Sequence, residues 1–423
     1  MRRYWIPVLL FGLMLYVAAG TPLAPFHGDE STLIYGSRDY FDQFVAGDME
    51  RVMNRRSDDA NDHGLRLLEG RVQKYLGGFA FHLTGGSVER LNRPWQWGAP
   101  PQVSIRAGFV PSLQLLMAER WAMALLLALS IPVAYAVGSH LGGIGGGLTI
   151  AILIALSPNL VLNGRRVMME APLLLFSLLT VLAAIRIVVQ APTEAPSTWP
   201  LRWRLVLLFG LAGGMAVSSK HSGLLTVVPL FVALGVWALM RNQMRSLVQL
   251  GAAGAVAVAV FLALNPAWWS SPLDAAGETL ILRSELMRMQ TSAFDGYSGL
   301  GDAAAGFARF AMLETPQYFE VPFWQEIGPS IAAYRASPWV LPSFLNTLRA
   351  VVTMIMAVAG IVALVRRRDP VAGVAGAWIA SAIIATCALT PLAWARYYLP
   401  ALPAIYALAA AGVGHLSRLR PRP

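Results

Sequence analysis

Residues 4–30 read YWIPVLLFGLMLYVAAGTPLAPFHGDE, and the fold turns on this stretch. Tyr4 to Leu23 carry no charge, and a helix of about 20 such residues crosses the hydrocarbon of a bilayer. Asp29 and Glu30 follow, where that helix would leave the membrane. The run is longer than the apolar core of a cleaved signal needs, and no small-x-small site precedes the acids. The segment is therefore expected to be a retained anchor.

The rest of the chain repeats the pattern. Of 423 residues, 56% are hydrophobic and 13% charged, with a mean hydropathy of +0.54. That is too little charge to cover a water-soluble surface, so the composition points to an all-α polytopic membrane protein. Apolar runs long enough to span, by the requirement of about 20 residues, fall near 4–24, 117–138, 143–162, 171–190, 203–219, 222–240, 246–265, 346–365, 371–390 and 398–415. About ten transmembrane helices then form a single integral membrane domain over residues 1–423, with no separate soluble domain. The lone Cys387 can form no intramolecular disulfide. The net charge of +10 sits mostly in short segments between apolar runs, which suits membrane topology and lipid headgroups rather than nucleic acid.

Five basic clusters set the orientation: Arg2–Arg3, Arg186 with Arg202 and Arg204, Arg241 with Arg245, Arg366–Arg368, and Arg418 with Arg420 and Arg422. With ten spans they share one side, which places both termini in the cytoplasm. Two long segments, 25–116 and 266–345, then face outward, with Trp95, Trp97, Trp268, Trp269, Trp324 and Trp339 among their residues. Trp268, Trp269 and Trp339 adjoin spans, as in an interfacial aromatic belt. The mixed spacing of 64–83 and 273–291 predicts helices lying on the membrane.

On that outer face the sequence gathers acids and cations. Asp29-Glu30 is joined by Asn163-Gly-Arg165-Arg166-Val-Met-Met-Glu170, Ser218-Ser-Lys220-His221, Asn265-Pro-Ala-Trp268-Trp269 and Arg396-Tyr397-Tyr398-Leu-Pro400. Cations there can neutralise a phosphate leaving group while a carboxylate takes a proton from an attacking hydroxyl. Each feature also has a plainer reading. The acids can be the polar flank of a span, and Arg165 can pair with Glu170. Lys220, which with Lys74 completes the chain's lysines, can snorkel to the interface. His221 reads as a structural neighbour, and Arg396 can stack on Trp394, Tyr397 or Tyr398. The glycines of 142–147 lack the lysine and hydroxyl of a phosphate loop, so close helix packing explains them better. No His-Glu-x-x-His pair or Cys–His cluster marks a zinc site, although Asp29 or Glu30 leaves room for a divalent cation.

These motifs, spread over nearly the whole chain, resemble the GT-C superfamily of polyprenyl-phosphate-sugar-dependent glycosyltransferases. The nearest branch is that of bacterial protein O-mannosyltransferase and lipid A aminoarabinose transferase relatives. Phe26–Glu30 is similar to that family's acidic motif after the first span, and Arg165 to Glu170 with Pro172 to its second-loop motif. Residues 210–223, with Lys220-His-Ser-Gly, resemble its glycine-rich helix and Lys-x-Ser-Gly segment. Residues 396–403 resemble its Arg-Tyr-x-Leu-Pro-x-x-Pro. Two positions depart from the pattern: Glu170 replaces the commoner aspartate, and the His-Pro-Pro triplet is absent before Lys74.

The resemblance implies transfer of a sugar, with inversion, from a polyprenyl-phosphate donor to an acceptor hydroxyl on a protein, lipid or glycan. It places the enzyme in a bacterial inner membrane with its site outside, and requires no cofactor. Asp29 would be the base and Glu30 its support; Arg165, Glu170, Lys220, Arg396 and Tyr397 would hold the donor, with Lys74 and His27 toward the acceptor. The rival readings are a transporter or flippase, for which no duplicated halves are visible, and a catalytically inactive scaffold.

Overall fold

The computed structural model describes residues 5–53, 60–97, 99–190, 202–320 and 327–419. Arg2, Arg3, Trp324, Arg420, Arg422 and the loop 191–201 lie outside the described residues. Among the described residues the regular structure is helical, with no strand. The principal helices are α1 (Trp5–Ala19), α2 (Gly28–Gly36), α3 (Ala60–Leu68), α4 (Arg71–Leu83), α5 (Leu113–Leu156), α6 (Pro158–Arg165) and α7 (Glu170–Gln190). They continue with α8 (Trp203–Ser219), α9 (Leu224–Met240), α10 (Met244–Leu264), α11 (Pro272–Ala293), α12 (Ser343–Arg366), α13 (Pro370–Leu389) and α14 (Leu402–Leu419).

Eight segments among the described residues are long and apolar enough to span a bilayer, and α8 is a shorter apolar helix. The longest, α5, is two helices. Gly142 and Gly143 leave helical geometry, Gly143 at φ +64°, a conformation that costs glycine little. In a straight helix Gly138 and Gly146 would stand about 12 Å apart. Instead a methyl on Gly138 would lie 2.4 Å from the Gly146 carbonyl oxygen. The chain doubles back here, and its tip sits on α14, where a methyl on Gly142 would lie 2.1 Å from the Ala410 carbonyl. The glycine run of 142–147 is therefore a tight hairpin packed on a neighbour. Counting both arms of α5 together with α8 gives about ten apolar helices. The expected third span, 143–162, is interrupted: α5 ends at Leu156, and Ser157 caps the N-terminus of α6.

The helix bundle has one large apolar core running through α5, α7 and α14. Its outer surface is also aliphatic, with Val8, Phe11, Val232, Val258, Ile355 and Val358 all exposed. Apolar surface on that scale is at home in lipid; the chain is an integral membrane protein.

The described residues of 25–116 and 266–345 fold into helices that link the spans, and they bring His27, Asp29, Arg283 and Glu320 to the site. The expected helix over 64–83 is α3 plus α4, broken at Gly70, where a methyl would lie 1.8 Å from the Ser219 carbonyl. That close approach seats α4 on the turn bearing Lys220. The second segment is anchored by Glu314, buried at φ +49°. It accepts from Ser157 Oγ and Tyr406 OH at 2.6 Å each and pairs with Arg349 at 2.8 Å. A carboxylate deep among span ends needs such partners, and these fix the chain leading to Glu320.

Candidate active site

His27 has extended backbone geometry and caps α2, its Nδ1 accepting from the Asp29 backbone N–H at 3.1 Å. The Glu30 carboxylate reaches back to the His27 N–H at 3.0 Å, completing a capping box. Glu30 is fully buried. Arg120 grips it bidentately at 2.7 and 2.6 Å, and the Val167 N–H donates to it at 3.0 Å. Burial alone would raise the Glu30 pKa, but Arg120, Arg166 and the Val167 N–H hold it below the usual value. Every strong acceptor direction is taken, so Glu30 supports the start of α2 and offers nothing to a substrate. The expectation of Glu30 as a catalytic group or a cation ligand beside Asp29 is corrected accordingly: neighbours in sequence, the two acids point to different partners.

Asp29 is the acid left facing the site. It forms an ion pair with Arg396, at the start of the last span. The same guanidinium lies 3.6 Å from Glu320 and over the rings of Trp394 and Tyr397, at 5.1 and 5.6 Å. Glu320 in turn meets His27 Nε2 at 2.6 Å. Because Nδ1 already accepts from the Asp29 N–H, the ring proton sits on Nε2 and Glu320 accepts it. Burial pushes the His27 pKa down despite Glu320, so the ring is neutral near pH 7. Burial opposes the Glu320 anion too, yet His27 and Arg166 draw its pKa below the ordinary carboxylate value. His27 thus aims the Asp29 backbone and orders Glu320. Both ring nitrogens are engaged and the side chain is buried, so the expectation of His27 toward the acceptor is corrected to a positioning role.

Beyond Arg396 opens a chamber of about 920 Å³. Apolar side chains such as Val217, Leu224, Phe231, Val258 and Phe261 make most of its wall. Lys220, Arg283 and Arg396 supply its cations, with His221 and Tyr397 beside them, and no carboxylate among the described residues lines it. Lys220 is held by Glu170 at 2.8 Å. Tyr397 OH donates to Gln290 of α11 at 2.9 Å, tying that helix to the Arg396 segment. An apolar cavity with clustered cations at its polar part can take an anionic headgroup and its hydrocarbon together.

Asp29, Glu170, Lys220, Arg396 and Tyr397 are thus brought together, while two other expected residues are not. Arg165 is fully buried away from the chamber. Its guanidinium donates to the carbonyls of Val17, Tyr16 and Trp339 and to Tyr334 OH, at 2.7–2.9 Å. Arg166 likewise donates to the Pro25 and Tyr318 carbonyls. Arg165 ties the first span to the second outer segment and Arg166 ties the two outer segments together, and the expectation of Arg165 as a phosphate ligand is corrected. Lys74 is buried in a separate ionic cluster. It pairs with Glu69 at 2.9 Å and donates to the Leu65 carbonyl at 3.2 Å. Beside it Asp39 is bound by Arg66 and Arg71. Trp95 packs on Phe26 and Trp97 on His27.

Sequence reasoning missed Glu320 and Arg283, both on the second outer segment without a local motif. Arg120 is a charge inside the apolar run 117–138, the one sequence signal that marks it as a buried partner. Among the described residues no group of three His, Cys, Asp or Glu side chains is arranged to hold a metal ion.

Residues 102–271, about two-fifths of the chain, match the family described as dolichyl-phosphate-mannose-protein mannosyltransferase. The match includes Lys220 and Glu170 but neither Asp29 nor Arg396. No curated protein matches the chain by sequence. Among solved structures the chain is similar to ArnT from Cupriavidus metallidurans bound to undecaprenyl phosphate, with a TM-score of 0.52 and 14% identity. That match covers 99% of this chain and 61% of the other. It is also similar to the archaeal oligosaccharyltransferase AglB from Archaeoglobus fulgidus in complex with an inhibitory peptide and a dolichol-phosphate. There the TM-score is 0.51, with 13% identity over 97% of this chain and 50% of AglB. The chain therefore spans between half and three-fifths of the length of these proteins, and at such identities the likeness is one of fold. It shares its membrane fold with these proteins, and its residues 102–271 carry the match to the protein mannosyltransferase family.

Proposed function

We propose that the chain is a membrane glycosyltransferase that moves a sugar from a polyprenyl-phosphate donor to an acceptor hydroxyl, inverting the anomeric carbon. The observation that carries this reading is the Asp29–Arg396 ion pair, which sets a carboxylate against a cation of the apolar chamber. The chamber takes the lipid phosphate, and its aliphatic wall suits the first prenyl units. The acceptor, a protein, lipid or glycan, approaches on the Asp29 side. Its hydroxyl oxygen attacks the anomeric carbon, the bond to the phosphate oxygen breaks, and the proton passes to Asp29. Lys220, oriented by Glu170, stabilises the departing phosphate, as preorganised cations do at developing charge. No nucleotide site or cofactor enters this scheme, because the polyprenyl phosphate is itself the leaving group.

We further place the site on the outer face of a bacterial inner membrane, with both termini cytoplasmic. The basic clusters Arg241–Arg245 and Arg366–Arg368 support that orientation. The test is transfer of radiolabelled sugar from polyprenyl-phosphate donors in membranes with and without the protein. Product is expected only with the wild type, and Asp29→Asn is expected to lose about 10²–10⁴-fold in rate, the usual size of a general-base contribution. Full activity in that variant would overturn the role of Asp29.

A further inference from the structure

Resting on the glycosyltransferase reading, the charges around the chamber can be matched one by one. Lys220 is matched by Glu170 at 2.8 Å, and Arg396 by Asp29, with Glu320 at 3.6 Å from its other edge. Arg283 is the remaining cation of the wall, and no carboxylate among the described residues lines the chamber beside it. Its place follows from the helix period. Ala276, Thr279, Leu280, Arg283 and Met287 all line the chamber from α11, the i, i+3, i+4, i+7 stripe of one helix face. That helix is pinned at both ends of the stripe, by His63 to Glu278 at 2.5 Å and by Tyr397 to Gln290 at 2.9 Å.

A polyprenyl phosphate sugar is a phosphodiester with one negative charge; the polyprenyl phosphate left after transfer is a monoester that gains a second. We infer that two different arginines answer these two charges. Arg283 holds the single charge of the incoming donor, because the other two cations are already engaged. Arg396 answers the second. When the anomeric carbon–phosphate oxygen bond breaks and the acceptor proton reaches Asp29, the carboxyl becomes neutral and releases its hold on the guanidinium. The phosphate gains one negative charge as Asp29 loses one, so the site's charge is conserved while Arg396 exchanges one anionic partner for another. Proton removal and leaving-group stabilisation are thereby coupled through one side chain.

Steady-state transfer and equilibrium binding of polyprenyl phosphate sugar and polyprenyl phosphate, on the full-length protein in nanodiscs, separate the two roles. Arg283→Gln is expected to raise the donor Kd and KM at least 10-fold with kcat within about threefold, since it removes binding present before the chemistry. Arg396→Gln is expected to lower kcat at least 100-fold with the donor Kd within about threefold. Arg283→Lys, which keeps the charge, is expected to recover most of the donor affinity. An Arg283→Gln protein that binds donor like the wild type overturns the inference, as does an Arg396→Gln protein that loses donor binding instead of kcat. If the wild type neither binds nor turns over these donors, the glycosyltransferase reading itself fails.

Discussion

Asp29 and Arg396 come from opposite ends of the chain and meet as an ion pair whose guanidinium also lines the chamber. While the pair is intact, part of the Arg396 charge is unavailable to a phosphate. Asp29→Asn should therefore do two opposite things: remove the proposed base, and free the guanidinium. Transfer is expected to fall while affinity for the doubly charged polyprenyl phosphate rises, by at least threefold at low salt, where Coulomb attraction is least screened. Binding titrations on wild type and variant check this, and unchanged or weaker binding in Asp29→Asn would show that the pair does not hold Arg396 back.

Glu30 offers a contrast, because its role is structural. Its carboxylate and the Arg120 guanidinium are both buried, and each is the other's main partner. Removing one leaves the other charge stranded, which typically costs about 3–5 kcal/mol. Glu30→Gln is thus expected to lower the thermal unfolding temperature strongly. Replacing both residues with methionine should recover much of the loss, because no charge is then left unpaired. A Glu30→Gln protein as stable as the wild type but inactive would move Glu30 into the chemistry.

Arg165 tests the same distinction from the cation side. Its guanidinium serves four acceptors on α1 and on the outer segment, including Tyr334. A lysine keeps the charge but cannot span that set, so Arg165→Lys is expected to cost about 2–4 kcal/mol through lost charged hydrogen bonds. Donor Kd, measured on the protein that remains folded, should stay within about twofold of wild type. A raised donor Kd without loss of stability would return Arg165 to the phosphate site.

The spans were legible because lipid demands long charge-free helices, and little else makes twenty apolar residues in a row. Asp29, Lys220 and Arg396 were legible for the converse reason: charge at span ends on one face stands out against that background. What the sequence could not separate was a cation that lines a chamber from one that binds carbonyls. Arg165 and Arg396 read alike as letters, and only their partners differ. Glu320 and Arg283 were invisible because the spacing of 273–291 foretells a helix but not the chamber its face lines, and Glu320 meets His27 only through a contact across most of the chain. The interrupted third span came from Ser157 and Pro158, a cap and first-turn pair that reads as helix start once seen, but is masked by the apolar residues on either side.

The buried histidine gives the site a pH dependence with a defined sign. In the fold His27 is neutral, its pKa pushed below the ordinary 6.5 by burial, while the unfolded chain titrates near that ordinary value. The groups facing it are Asp29, Glu320, Arg166 and Arg396, and the last two add to the cost of a proton on the ring. As pH falls through 6.5, the unfolded state takes up a proton that the folded state refuses, so stability is full above that value and declines below it. The slope for one proton is at most about 1.4 kcal/mol per pH unit. Glu30 and Asp39, both held below their ordinary values by arginines despite burial, add losses of the same sign at lower pH, near and below their ordinary 4.5 and 3.8. Thermal unfolding of the purified protein at pH 7.5, 6.5 and 5.5 should show a falling midpoint over that interval. His27→Asn keeps an acceptor at the helix cap and removes the titrating ring, so it should flatten the fall between pH 7 and 5.5 while leaving the steeper loss below pH 4.5. A variant whose midpoint falls as steeply as the wild type over the upper interval would show that another group titrates there.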